Sequence, residues 1–161
     1  MEIKENKIKM AGQVRVILND ATTGNITKDT GWVDNVIPTI ARVQLAKLLV
    51  AKNTKANAGK ITYCAVGTGT TLPSVADTTL ETEIDRISIS TASNNDGTEA
   101  QIRAFFSQVR GNGALKELGL FGEEATASSG TGTLFQRIAF DVEKTSGETM
   151  TILSKIPIEY N

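Results

Sequence analysis

Four carboxylates between residues 77 and 85 are the side chains of this chain best suited to hold a metal ion. They are Asp77, Glu81, Glu83 and Asp85, and oxygen ligands of this kind suit calcium or magnesium. The stretch lacks the dense alternation of Asp and Asn that marks a dedicated calcium loop. Asp77 is also a good N-cap for one helical turn over residues 77–83. We therefore favour a solvated helical turn and keep a metal site as the weaker alternative.

The chain has no histidine and a single cysteine, Cys64, which removes most of the common catalytic arrangements. Histidine acid–base catalysis, Ser–His and Cys–His nucleophile pairs and the commonest zinc ligand are all excluded. Cys64 lies in an apolar, β-type run that is typical of a buried, inert thiol. Gly67-Thr68-Gly69 lacks the Gly-Lys-Ser/Thr ending of a phosphate loop. We predict a protein that is not an enzyme and uses no cofactor and no small-molecule substrate.

The charge balance disfavours nucleic acid as a partner. Lys and Arg number 17 and Asp and Glu number 18, so the net charge is -1, whereas binding to phosphates needs a basic excess or stripe. No stretch reaches the length of a membrane helix, and the first residues lack the apolar core of a signal peptide. We expect no membrane partner, and synthesis in the cytoplasm without the general secretory route.

The 161 residues fit one domain, which we place at residues 12–161 after an N-terminal arm at residues 1–11. Alternation typical of half-buried strands runs through 13–19 and 149–160, and Pro157 favours an edge position for the end of the last run. No strand–helix–strand rhythm occurs, so the pattern predicts a mainly β fold, an antiparallel β-sandwich or barrel with one packed α-helix. About eight strands are expected, at residues 13–19, 26–33, 60–66, 86–92, 98–110, 115–121, 133–142 and 149–160.

The helix is predicted at about residues 38–52. Pro38 suits the first helical position, and five apolar residues after it fall near one another on a helical wheel. They are Ile40, Val43, Leu45, Leu48 and Leu49. We expect Ile40, Leu45, Leu48 and Leu49 of this face to pack on the sheet.

Two aromatic residues beside glycines are candidate interface anchors. Trp32 follows Gly31, and Phe121 precedes Gly122. Tryptophan is enriched among the residues that dominate interface energies, and core packing is an equally good interpretation of Trp32. The arm is expected to be pinned against a neighbouring chain or a sheet edge, since chain termini fray unless they are tied down.

Several short segments, in their order along the chain, resemble small phage and prophage virion proteins, and in particular the N-terminal module of the phage tail-collar fibre family. The resemblance covers roughly residues 36–160, and its most specific segment is Glu117-Leu118-Gly119-Leu120-Phe121. The other segments are Ile40 to Leu49, Tyr63 to Pro73, Asp77 to Glu83, Thr133 to Arg137 and Lys144 to Ser146.

The resemblance implies a virion protein that is made in the host bacterial cytoplasm and has no enzyme activity and no cofactor. Tail-collar fibres continue into a long shaft and tip that this sequence lacks. The missing shaft disfavours direct recognition of a host and leaves a fibre adaptor, a collar component or a protein that decorates the capsid. We favour a tail-fibre, collar or adaptor component, with capsid decoration as one alternative and a carbohydrate-binding module that recognises a receptor as another. The expected partners are copies of the chain itself, in a trimer or other ring, and other tail or capsid proteins.

Overall fold

A computed structural model of the chain describes residues 8–94 and 97–160. These residues form two antiparallel sheets and one helix without a closed barrel, which confirms the mainly β fold class and is consistent with a sandwich. The helix α1 is Thr39–Leu49. The strands are β1 Ile8–Met10, β2 Gln13–Asp20, β3 Ile26–Asp34, β4 Ile61–Gly67, β5 Glu83–Ser88, β6 Thr91–Ser93, β7 Glu99–Phe106, β8 Gly113–Gly122, β9 Thr133–Lys144 and β10 Glu148–Tyr160.

The larger sheet has six strands and keeps one face partly in solvent. Its strands follow the order β3-β2-β10-β7-β6, and β1 pairs with the end of β10. In β2, Val14, Val16 and Leu18 are buried in the core, and the residues between them are half-buried. Burial of every second residue is expected of a strand with one solvated side, which is why alternation in the sequence located these strands.

The smaller sheet has four strands in the order β5-β4-β8-β9 and is covered on both faces. Leu118 and Leu120 of β8 belong to the core between the two sheets. Phe121 of the same strand belongs to a second cluster that includes Leu80, which lies in the loop between β4 and β5. This loop therefore packs on the outer face of the sheet. The last six residues of β8 are all buried, as in other strands that are covered on both sides.

The run predicted as one strand at residues 86–92 is divided between the two sheets. β5 ends at Ser88 in the four-stranded sheet, and β6 begins at Thr91 in the six-stranded sheet. The backbone N–H of Ile89 donates to Thr62 O at 2.9 Å, and that of Ser90 donates to Arg103 O at 2.8 Å. The chain thus crosses between sheets over two residues, and neither is a glycine or proline that would have marked the corner in the sequence.

The helix lies within the predicted range, but its predicted buried face is wrong. Its buried residues are Ala41 and Gln44, and it lies beside β9. Leu48 and Leu49 are 38% and 89% exposed. A small residue such as Ala41 allows the helix backbone to approach the sheet closely, and this turns the longer apolar side chains away. Among the described residues no helix is long and apolar enough to cross a membrane.

The helical turn predicted over residues 77–83 is also wrong. The carboxylate of Asp77 accepts a hydrogen bond from the backbone N–H of Ser74 at 2.8 Å, upstream of the expected turn. The N–H groups of Glu81 and Thr82, which a helical turn would use, donate instead to the buried carboxylate of Glu117. These N–H groups thus pair with a residue distant in sequence and not with the carbonyl oxygens of a helical turn.

The predicted edge position of Pro157 is wrong, because β10 is the central strand. Pro157 pairs in register with Glu99 of β7, and the N–H of Ile158 donates to Thr98 O at 2.8 Å. Successive backbone nitrogens of a strand face opposite sides, so the nitrogen of Pro157 faces away from β7. On that side β1 and β2 are separated by Ala11 and Gly12, which leaves a gap in the ladder where no donor is needed.

Part of the predicted N-terminal arm is tied to a sheet of its own chain. Residues 8–10 form β1 and pair with the end of β10, with Met10 opposite Ile158. Residues 1–7 of the arm lie outside the described residues. The described part of the arm therefore continues the six-stranded sheet.

Candidate functional site

Glu117 of β8 is fully buried and binds the loop between β4 and β5 near both of its ends. Its Oε1 accepts hydrogen bonds from the N–H groups of Gly69 at 3.2 Å and Thr82 at 2.7 Å. Its Oε2 accepts one from the N–H of Glu81 at 3.0 Å. A buried charge is tolerated only when it is paired or hydrogen-bonded, and these three donors come from loop backbone that has no strand partner.

Arg137 of β9 is 3% exposed and completes this arrangement, which we call the Glu117 cluster (Glu117, Arg137, Asp77 and Thr71). Its Nη2 donates to Glu117 Oε2 at 2.8 Å and to Thr71 O at 3.1 Å, and its Nη1 donates to Asp77 Oδ2 at 2.5 Å. Burial lowers the pKa of Arg137, but the hydrogen bonds to Asp77 and Glu117 outweigh burial and raise the pKa above its usual value. Arg137 thus remains charged and holds the loop at its middle.

The glycine motif at residues 67–69 has its explanation in this cluster. A Cβ atom at Gly69 would lie 2.5 Å from Oε1 of Glu117, and one at Gly67 would clash with the carbonyl oxygen of Thr82. Both positions need the close backbone approach that only glycine permits. The motif therefore serves the packing of the loop against Glu117.

A second buried carboxylate, Glu123, fixes the segment after α1. Its Oε1 accepts hydrogen bonds from Asn53 Nδ2 at 2.6 Å and from the N–H of Gly59 at 3.1 Å. Its Oε2 accepts one from Thr133 Oγ1 at 2.9 Å. Glu123 has a φ of 43°, which is an uncommon conformation for a residue with a side chain. The hydrogen bonds hold both the segment and this unusual backbone.

A buried cation, Arg86 of β5, fixes the loop between β8 and β9. It is paired with Glu83 at 2.7 Å, and its Nη1 donates to the carbonyl oxygens of Thr126 at 3.2 Å and Thr131 at 2.9 Å. Its guanidinium carbon lies 4.5 Å from the centroid of the Phe121 ring. The cation therefore joins the loop to the outer face of the four-stranded sheet.

The buried charged side chains described above hold loops of the chain in place. Both oxygens of Glu117 and of Glu123 accept hydrogen bonds from their own chain. Burial raises the pKa of the Cys64 thiol, which disfavours the nucleophilic thiolate. The sheets and loops thus present a surface whose shape is fixed by buried ionic contacts.

The four carboxylates considered as metal ligands are dispersed by the fold. Each contacts a different partner: Asp77 contacts Arg137, Glu81 accepts from Thr71, Glu83 pairs with Arg86, and Asp85 pairs with Arg110. Within residues 8–94 and 97–160, no group of three or more potential ligands is gathered for a metal ion. The described geometry gives the weaker metal-site alternative no support.

Of the two candidate interface anchors, Trp32 lies at the surface and Phe121 does not. Trp32 is 41% exposed, on the outer face of the six-stranded sheet, with Lys155 Nζ 4.5 Å from its ring centroid. It lines an open groove of about 310 Å³ with Arg103 and Leu153. Phe121 is fully buried, so its assignment as a surface anchor is wrong. The loops that cover it could not be placed from the sequence.

The comparisons with known proteins found no matching family model, no matching curated protein and no matching solved structure. The buried residues Arg86, Glu117, Glu123 and Arg137 were not singled out as site residues from the sequence. The available signal was weak: Glu117 is the lone carboxylate in the run from Leu115 to Phe121, which is apolar apart from Glu117 and Lys116, and a buried carboxylate requires a partner.

Proposed function

We propose that this chain is a non-enzymatic structural protein of a bacteriophage virion, a tail-fibre, collar or adaptor component that acts through protein–protein contacts. The observation that carries the proposal is the use of buried charges to hold loops. Glu117, Glu123 and Arg86 each bind backbone groups of a different irregular segment. A surface fixed in this way suits repeated docking, because little conformational entropy is lost on association.

The segments of the tail-collar resemblance offer further support, because four of them meet in the Glu117 cluster. Glu117 belongs to the most specific segment, Arg137 to the segment Thr133 to Arg137, and Asp77 to the segment Asp77 to Glu83. Thr71 belongs to the segment Tyr63 to Pro73, and Gly69 of the same segment donates to Glu117. Segments that lie far apart along the chain thus contribute to one contact.

The proposed partners are copies of this chain and other tail or capsid proteins, in a particle assembled in the bacterial cytoplasm. Quantitative mass spectrometry of purified phage particles tests this. We expect the chain to be present at a fixed copy number, on the order of ten for a tail position in a symmetric ring. A copy number on the order of hundreds would instead assign it to capsid decoration. Absence of the chain from particles that otherwise assemble would overturn the proposal.

A carbohydrate-binding role is the second candidate, and the groove beside Trp32 is the observation that favours it. The groove combines a half-exposed aromatic ring with polar residues such as Arg103 and Thr91, a combination common in ligand sites. A glycan array separates the two functions. Binding that is lost in Trp32→Ala but kept in Phe105→Ala, another exposed aromatic of the same face, would favour receptor recognition.

A further inference from the structure

The exposed side of α1 is apolar at its centre. Val43 and Val50 are 44% and 64% exposed and lie two helical turns apart on the same side. Leu49 beside them is 89% exposed. Arg42 and Lys47 flank them and are also exposed. We call these five residues the α1 surface. Apolar side chains surrounded by polar ones are typical of a surface that binds another protein.

The α1 surface lies in a strongly basic part of the chain. Residues 35–60 contain five Lys and Arg residues and no Asp or Glu. The rest of the chain holds the other 12 basic residues against all 18 acidic ones, so its net charge is -6. Such segregation within a nearly neutral chain favours contacts between unlike surfaces over contacts between like ones.

The complementary charge lies at the other end of β9. α1 lies beside β9, whose first residue Thr133 contacts Lys55, and β9 ends where it turns into β10. This turn lies next to the turn between β2 and β3, since the N–H of Ala21 donates to Gly147 O at 2.9 Å. We call this region the acidic turns. Its carboxylates are Asp20, Asp141, Glu143 and Glu148.

The basic residues in or beside the acidic turns are Lys144, Lys28 and Lys116, and they offset only part of the charge of the four carboxylates. Lys144 is 1% exposed, and its Nζ donates to Ser107 O at 3.0 Å and to Asn112 Oδ1 at 2.7 Å. Asp141 contacts Lys116 but keeps 78% of its side chain exposed, and Glu143 is exposed. A basic surface approaching this region therefore meets accessible carboxylates.

We propose that the α1 surface of one copy docks on the acidic turns of the next copy. Two α1 surfaces facing each other would bring Arg42 and Lys47 of both copies together, so a symmetric two-fold contact is disfavoured. The contact between unlike surfaces repeats around a ring or along a filament. This inference rests on the proposed function, in which the chain binds its own copies, and assigns the surfaces that it uses.

The apolar part of the contact is tested with the full-length protein by sedimentation velocity over a range of concentrations. The wild-type chain is expected to self-associate. Leu49→Asp is expected to weaken this association and to raise its dissociation constant at least about tenfold. The matched control is Leu72→Asp, because Leu72 is 80% exposed in the loop between β4 and β5 and belongs neither to the α1 surface nor to the acidic turns. Circular dichroism of both variants should match the wild type, since neither residue is buried.

The charged part is tested by exchanging the charges. One variant carries Arg42→Glu and Lys47→Glu, and the other carries Asp141→Lys and Glu143→Lys. Each alone should be monomeric, because its two docking surfaces then no longer carry opposite charges. Their mixture should assemble at wild-type concentrations, since each surface again meets an opposite charge. Raising the salt concentration should weaken wild-type association.

Three outcomes would overturn the inference. Wild-type protein that stays monomeric at all concentrations would exclude a second copy as the partner of the α1 surface. Binding of that monomer to vesicles with anionic lipid would then indicate a membrane surface as the partner. Association that survives both charge variants would place the contact elsewhere and leave the proposed function intact. A mixture that fails to assemble would exclude the acidic turns as the docking site. Failure of the proposed function is seen separately, as absence of the chain from particles.

Discussion

The two sheets differ in what covers their outer faces. Phe105 on the outer face of the six-stranded sheet is 43% exposed, whereas Phe121 on the outer face of the four-stranded sheet is fully buried. The first face meets solvent, and the second is covered by the loop that carries Leu80 and by its neighbours. Irregular backbone in such a cover lacks a ladder partner, and every buried N–H or C=O needs one.

Buried charged side chains supply these hydrogen-bond partners at the four-stranded sheet. Glu117 accepts from three backbone N–H groups, and Arg86 donates to two backbone carbonyl groups. In the six-stranded sheet the outer face makes ionic contacts in solvent, such as that between Arg15 and Asp29, whose side chains are 36% and 26% exposed. Surface pairs of this kind contribute roughly 0–1 kcal/mol. Charge therefore stabilises this fold mainly where it replaces missing strand partners.

Replacing the two outer-face phenylalanines by alanine, one at a time, should give the largest difference in stability. Phe121→Ala should lower the free energy of unfolding by about 3–5 kcal/mol, because it opens a cavity under the loops. It also removes the ring beneath Arg86, whose cation–π contact adds about 1 kcal/mol. Phe105→Ala should cost less than about 1 kcal/mol, because solvent fills the space. Urea unfolding of both variants measures the two values.

Equal losses of unfolding free energy in the two variants would contradict the difference in cover between the two outer faces. A small loss at residue 121 would mean that the loops do not cover the outer face in solution. A large loss at residue 105 would mean that the outer face of the six-stranded sheet is also covered, for example by self-association. Measuring Phe105→Ala at two protein concentrations separates the second case from a monomer effect.

The same difference decides how much of the fold could be predicted from the sequence. In β2 the alternation of Val14, Val16 and Leu18 follows from one-sided burial, so the strand was predicted nearly to its ends. In β8 burial is continuous, and alternation could not show that Glu117 faces a loop. Its partners Thr82 and Arg137 lie 35 and 20 residues away in sequence, beyond any local pattern.

The helix shows a second limit of sequence reasoning. Its position was predicted from Pro38 and the apolar residues that follow it, and this agrees with Thr39–Leu49. Its orientation was predicted wrongly, because the expected buried face did not include Ala41, which is the apolar residue that α1 buries. Ala41 is buried and Leu49 exposed, so hydrophobicity alone selected the wrong side. An apolar side that a partner covers and one that the sheet covers look alike in a single sequence.

The next largest effect is expected from Glu117→Gln. The amide keeps the shape of the side chain but removes the charge that Arg137 faces, and breaking a buried pair in this way costs about 3 kcal/mol. Urea unfolding measures the loss. Hydrogen exchange should show faster exchange at Gly69, Glu81 and Thr82, whose N–H groups donate to Glu117, because their charged acceptor is gone.

The matched control for Glu117→Gln is Glu124→Gln, which makes the same chemical change at an exposed residue in the loop after β8. It should change stability by less than about 0.5 kcal/mol. If the two variants are equally stable, the buried carboxylate is not needed to hold the loop. Protection that is lost throughout the chain rather than at the three loop amides would point to global loosening instead.

The smallest predicted effect concerns Asp85, which holds the turn before β8 to the edge strand β5. Its Oδ2 accepts from the N–H of Gly111 at 2.6 Å, and its carboxylate pairs with Arg110. Burial raises the pKa of Asp85, but the hydrogen bonds from Arg110 and Gly111 outweigh burial and lower the pKa below its usual value. The contact is partly exposed, so Asp85→Asn should cost only about 1 kcal/mol at neutral pH.

The pH dependence of Asp85→Asn separates charge from shape. Because the pKa of Asp85 is lower in the folded protein, its contribution is fully present above the unfolded pKa of about 4. It is lost as the pH falls through the lower folded pKa, where the carboxylate takes up its proton. The stability difference between wild type and Asp85→Asn should therefore shrink between pH 7 and about pH 2, as measured by urea unfolding at each pH. A difference that stays constant would show that Asp85 holds the turn through hydrogen-bond geometry, which an amide also disturbs, and that its charge adds nothing at this edge.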